Sequence, residues 1–135
     1  MMLIESDLLL PIIKKGDRLG AVSERVLGQI KDGGLTGVYA STAALQEVVF
    51  WLYNRGLRQE AIQAVNALKL LRNLEWVPLS PDICLQAAII IKEYGVGPFD
   101  AYHAATALSR DSVVMSTEHV YGRIPGLTVL DPHVV

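Results

Sequence analysis

The sequence predicts an α/β fold, a three-layer α/β/α sandwich around a central, mostly parallel sheet of four to five strands. Three observations predict it. Short apolar runs alternate with longer amphipathic stretches, the pattern of strand–helix–strand units. Gly, Pro and Ser residues fall at the boundaries between those stretches, where turns and caps need them. No repeat, linker or low-complexity tract interrupts the pattern, so residues 1–135 are expected to form one domain, long enough to bury a core.

Leu3-Ile4-Glu5 reads as a short first strand, and Leu8 to Lys15 as a helix that tolerates Pro11 in its first turn. Asp17 is placed to cap a second helix with Leu19, Val22, Val26, Leu27 and Ile30 on one face, ended by Gly33-Gly34. Gly37-Val38-Tyr39-Ala40 is the second strand, and Ser41 or Thr42 caps a helix running to Arg55. Arg58 to Leu71 is another amphipathic helix, and Leu74 to Leu79 a third strand. Ser80-Pro81-Asp82 opens a helix to Tyr94, with Pro at a favourable early position. Pro98 to Ser109 is the next helix, Ser112 to Ser116 a fourth strand, and Thr128 to Asp131 a short final one.

Composition narrows the class without naming a function. With 51% hydrophobic and 19% charged residues the chain is globular and rather apolar, yet no apolar run is long enough to span a bilayer. Two acids, Glu5 and Asp7, precede the first long apolar run and no basic segment does, which argues against a signal peptide. The lone Cys84 has no disulfide partner in the chain and is expected to be a small buried thiol in a reducing cytoplasm. A net charge of −2, from 12 basic and 14 acidic residues, is not that of a protein gripping nucleic acid by charge alone. An acidic metal site with local basic patches is compatible with it.

The acids are the informative residues. Asp100 lies at the start of a helix, in line with the face of Ala104, Ala107 and Leu108. Glu47 shares a helix face with Ala43, Ala44, Phe50 and Trp51, where a carboxylate needs a partner or a ligand, Arg55 being the alternative partner. Glu5 and Asp7 bracket the end of the first strand, which is central in a doubly wound sheet, so that its end opens into the crevice. As alternatives, Asp7 caps a helix and Glu5 is a solvated strand-end charge. Glu118 follows the fourth strand, with capping of the turn His119 to Ile124 as its alternative; Asp111, at the opposite edge, reads as a turn residue. Carboxylate-only ligation favours Mg2+ or Mn2+, and His103, His119 and His133 lack the spacing of a zinc site.

Glu5-Ser6-Asp7, Ser41 with Glu47, Asp100-Ala101-Tyr102-His103-Ala104-Ala105 and Ser116-Thr117-Glu118 together resemble the ordered motifs of PIN domains. The short length resembles the VapC-type toxins of prokaryotic toxin–antitoxin pairs, and the likeness runs from the first strand to the closing Gly126–Pro132. Glutamates stand at positions 5 and 118 where the family usually has aspartates. The resemblance implies a metal-dependent endoribonuclease in which carboxylates hold one or two divalent ions that activate water in line with the scissile phosphate. Asp7, Asp100 and Glu47 are its foremost ligand candidates, with Glu5 and Glu118 next, and Asp7, Glu47, Asp100 and Glu118 are the catalytic candidates. It further implies products with a 5′-phosphate and a 3′-hydroxyl, a protein antitoxin lying across the acidic groove, and a homodimer.

For RNA, Lys14, Lys15 and Arg18 are the only tight basic cluster, Arg123 follows the last acid, and Ser116 either orients a ligand or binds phosphate. Lys14-Lys15 also suits the end of a helix by dipole complementarity. Trp51 and Tyr121 are expected in the core more than under stacked bases. Arg58 to Leu71, Trp76 and the face Leu45, Val48, Val49, Leu52 are the dimer candidates. A receiver or phosphatase reading fails for want of a phosphorylatable aspartate and a following lysine. A second functional class stays open: a catalytically weakened PIN-like module acting through protein or RNA partners.

Overall fold

A computed structural model describes residues 1–135. Five short strands, β1 (Met2–Ile4), β2 (Val38–Ser41), β3 (Glu75–Val77), β4 (Val113–Met115) and β5 (Thr128–Leu130), form one sheet in the order β3-β2-β1-β4-β5. Every neighbouring pair is parallel, with Leu3 level with both Tyr39 of β2 and Val114 of β4. Parallel neighbours need crossovers: α1 (Gly20–Lys31) lies in the first, α2 (Ala43–Tyr53) and α3 (Arg58–Lys69) in the second, α4 (Pro81–Tyr94) and α5 (Pro98–Leu108) in the third, and the 3-10 turn His119–Arg123 in the last, from β4 to β5.

The chain builds β1 to β3 toward one edge, then crosses back to lay β4 and β5 on the other side of β1. That reversal sits between β1 and β4, and in such sheets the crevice at the strands' carboxyl ends opens there. One core forms on each face of the sheet. Ile4, Val26, Ile30, Ala44, Val48, Leu52 and Leu68 fill the first, against α1, α2 and α3. Leu3, Tyr39, Ile90, Ala101, Ala104, Ala105 and Tyr121 fill the second, against α4 and α5. The alanine face of α5 lets that helix approach the sheet closely.

The helix expected over Leu8 to Lys15 is instead two 3-10 turns, Ser6–Leu8 and Leu10–Ile12. Pro11 lacks the N–H that an α-helix would need there, and the surrounding amides bond three residues back, as Ile12 N–H does to Leu9 O. α1 starts at Gly20, later than Asp17, whose carboxylate takes the Leu19 N–H at 2.8 Å and so shapes the entry turn. Ser80 caps α4 as expected, accepting the Ile83 N–H. Gly95, at φ +66°, ends α4 in the left-handed conformation that glycine adopts without strain.

Three expectations are corrected on the surface. Cys84 is exposed, because α4 buries Ile83, Ala87 and Ile90 and turns position 84 outward. Of the proposed dimer face, Val48 and Leu52 are buried at 0% and 3%, facing the sheet. The apolar face left outside is Leu45, Val49, Phe50 and Tyr53 of α2 with Val65 of α3, continuing to Ile62. Trp76 packs inward on β3. No helix is long and apolar enough to cross a membrane.

Candidate active site

The chain leaves β1 through Glu5, whose extended backbone turns directly into the first 3-10 turn. Glu5, rather than Asp7, caps that turn: one carboxylate oxygen accepts the Asp7 N–H at 3.2 Å. Its other oxygen accepts the Ser116 hydroxyl at 3.1 Å, and Ser116 Oγ accepts the Glu118 N–H at 2.9 Å. These bonds tie the carboxyl ends of the adjacent strands β1 and β4. Glu5 is 2% exposed, not solvated, and burial, with the Asp7 charge second, pushes its carboxyl well above the usual range.

Asp7 is freed by that arrangement to face the crevice. Its carboxyl is pushed up to about 7, first by burial, then by a hydrogen bond with the Glu118 carboxyl and by the charges of Glu118, Glu47 and Asp100. Asp100, in the first turn of α5, is likewise raised by burial and by Glu47, while His103 and the Tyr121 hydroxyl, 3.4 Å from Oδ1, pull the other way. Glu118 makes no capping bond in the 3-10 turn His119–Arg123. Acids from four separate stretches of chain therefore share one electrostatic neighbourhood at the carboxyl edge of the sheet.

Glu47 lies at the rim of the α2 apolar stripe, its side chain 26% exposed, because Phe50 points to solvent and the buried face is Ala43, Ala44, Val48 and Leu52. Its partner is not Arg55, which stacks on the Trp51 ring at 3.7 Å. Ser6 Oγ donates to Glu47 Oε1, and His103 Nε2 stands 3.0 Å from the same oxygen.

The donors fit a hard divalent cation. All four crevice acids offer oxygen, and their mutual repulsion is what a cation relieves. No three Asp, Glu, His or Cys side chains form a finished cage, since Glu5 and Glu47 are tied to neighbouring side chains. Such a set suits an ion of the Mg2+ kind, which keeps several waters and takes one or two carboxylates directly.

Lys14 and Arg18 join Asp7, Asp17 and Glu118 around a polar pocket of about 210 Å³. Lys14 is paired with Asp17 at 3.2 Å, and Lys15 lies outside the pocket, in the neighbouring groove against α1. Tyr121 is fully buried, and Trp51 is half-buried beneath Arg55, so neither presents an open face. Sequence reasoning missed His103 and Ser6 as partners of Glu47. The available signal was position 103, one turn after Asp100, the one ionisable ring on the inward alanine face of α5.

Comparison with known proteins shows the family and the fold. A family model described as "PIN domain" matches residues 2–127. No curated protein matches the chain. Among solved structures, Mycobacterium tuberculosis VapC20, described as a sarcin–ricin loop cleaving toxin, is similar at a TM-score of 0.73 and 15% identity, over 90% of this chain and 93% of that one. FitAcB from Neisseria gonorrhoeae is similar at 0.70 and 16%, covering 100% of both chains. VapBC-1 from nontypeable Haemophilus influenzae is similar at 0.68 and 21%, over 98% of each. At these identities the structural matches speak for the fold.

Proposed function

We propose a function that proceeds from one premise, that the chain belongs to the PIN domain family: it is a metal-dependent endoribonuclease and the toxin of a toxin–antitoxin pair. One observation carries the reading. Asp7, Glu47, Asp100 and Glu118 gather at the carboxyl edge of the sheet, closely enough that Asp7 responds to the other three. The toxin and toxin–antitoxin descriptions of the structural relatives support the biological role.

In this reading Asp7, Glu47, Asp100 and Glu118 hold Mg2+ or Mn2+ directly or through water. Asp7 is the ligand from the first strand; Glu5, buried and bonded through both oxygens, braces it. When bound, the ion supplies acidification of water and relief of charge at the reacting phosphate. The chain's own residues do the rest. Ser116 fixes Glu5 and the Glu118 backbone, so it orients rather than touches the RNA. Lys14 and Arg18 stand beside Asp7 and Glu118, where they can hold a phosphate of the bound strand, with Lys15 extending the contact outward. The products carry a 5′-phosphate and a 3′-hydroxyl.

The whole chain, 1–135, acts as one PIN-like domain in the cytoplasm, held by a protein antitoxin. It pairs with a second copy through Leu45, Val49, Phe50, Tyr53, Ile62 and Val65, a state that light scattering reads directly. The apolar exposure there, with Phe50 at 56% and Ile62 at 66%, is what favours that face. The function is tested by incubating end-labelled RNA with the purified protein and Mg2+ or Mn2+, with and without chelator. Cleavage that needs the ion is expected. Undiminished cleavage under chelation would sink the metal mechanism, and none with either ion would leave the binding-module reading.

A further inference from the structure

His103 is the one fully buried imidazole at the site, and the ligand set gives it no role. It lies three residues after Asp100, about one helical turn along α5. Its Nε2 stands 3.0 Å from Glu47 Oε1 and 3.0 Å from Ser6 Oγ, while the Ser6 hydroxyl donates to that same Glu47 oxygen. Three elements far apart in sequence, the turn after β1, α2 and α5, thus meet at one carboxylate oxygen. The other ring nitrogen, Nδ1, is buried and has no hydrogen-bond partner.

That geometry fixes where the ring proton sits. The Ser6 hydrogen points at Glu47, so Ser6 and Glu47 both show lone pairs to Nε2, and a bare Nε2 would meet only repulsion. Nε2 therefore carries the hydrogen. A serine–histidine–acid nucleophile is excluded by the same contacts, because such a triad uses one ring nitrogen for the hydroxyl and the other for the acid. Here one nitrogen serves both, and Ser6 is fully buried away from any substrate.

We propose that His103, seconded by Ser6, is a positioning residue: an imidazole latch that holds Glu47 Oε1 and leaves Oε2, which has no protein partner, as the oxygen available to the cation. This rests on the metal-dependent reading above. It explains why a flexible glutamate on α2 can serve a site otherwise built on strand ends and a helix start. Hydrogen-bonded partners behind metal-binding side chains have effects of about 10–100-fold on metal affinity or activity when removed.

Two measurements on the full chain test it. The first is Mn2+ affinity by calorimetry, without RNA. His103→Phe, which keeps the ring and loses the donor, is expected to weaken Mn2+ binding about 10–100-fold. Ser6→Ala should weaken it less, and His103→Gln, whose amide N–H can reach the same oxygen, should restore most of it. Wild-type affinity in folded His103→Phe would overturn the proposal. The second is the 15N spectrum of the wild-type imidazole, expected to show a protonated Nε2 whose signal moves in Glu47→Gln. A bare Nε2, or an Nε2 signal indifferent to Glu47→Gln, would overturn it even if His103→Phe fails to fold. A wild-type protein that binds no Mn2+ would overturn the metal reading, and the spectrum would still decide whether the latch exists.

Discussion

Asp100→Asn is expected to lower RNA cleavage by at least about 10²–10³-fold, the scale on which enzymes lose rate when one preorganised charge-stabilising group is removed. The fold should survive, because Asn keeps the shape and an oxygen for the Tyr121 hydroxyl, and the change removes a charge that burial and Glu47 already disfavour. Asp7→Asn should be as damaging. Glu5→Gln should lose less, because Glu5 lies behind Asp7 at 2% exposure with Ser116 and the Asp7 N–H as its partners. Single-turnover cleavage of a labelled RNA by the three variants separates the roles. Equal losses for Glu5→Gln and Asp7→Asn would contradict Asp7 as the ligand from the first strand.

The metal-free protein is expected to become less stable as pH rises from about 4 to about 7, the unfolded and folded values for Asp7. The sign follows from linkage. Between those values the folded state holds a proton that the unfolded state has released, so unfolding sheds protons and stability falls with rising pH. Below the unfolded value both states are protonated and the contribution is fully present. Above about 7 it is gone, with Glu5 and Asp100, both raised, extending the same trend. Mn2+ should reverse the pattern: at a free concentration 100 times its Kd it adds about 2.7 kcal/mol. That gain should be largest at neutral to mildly alkaline pH, because the ligands must be deprotonated to bind. Thermal melts at pH 5 and pH 8, with and without Mn2+, check both signs, and Asp7→Asn should flatten the metal-free slope. Metal-free stability that climbs between pH 5 and pH 8 would contradict the crowding of these carboxylates.

Much of this site was legible in the sequence because the carboxyl edge of a parallel sheet is written locally. Strand-end acids such as Asp7 and Glu118, and a helix-start acid such as Asp100, need only the strand and helix boundaries to be placed. The alternation of elements fixed those boundaries to within a few residues, as for Ser80 at the start of α4. What could not be read was what touches what. Glu5 looks as exposed as Asp7 in the sequence, yet the turn after β1 sends one into the core and the other into the crevice. Glu47 looked like an acid within an apolar stripe; its partners Ser6 and His103 lie 41 and 56 residues away and only the crossing of α2 and α5 joins them. Local signals misled in two places. Helix rules permit Pro11 in a first turn, yet its missing N–H leaves 3-10 turns, and periodicity alone does not say which side of α2 meets the sheet, so Val48 and Leu52 read as outward when they face it.

The convergence of four carboxylates on a divalent cation is tested most directly by crystals grown with Mn2+ and measured at a wavelength where manganese scatters anomalously. An anomalous peak is expected in the crevice at the carboxyl ends of β1 and β4, within ligand or water-mediated reach of Asp7, Glu47, Asp100 and Glu118. A saturating Mn2+ soak with no peak there, or with its only peak away from these four residues, would contradict it.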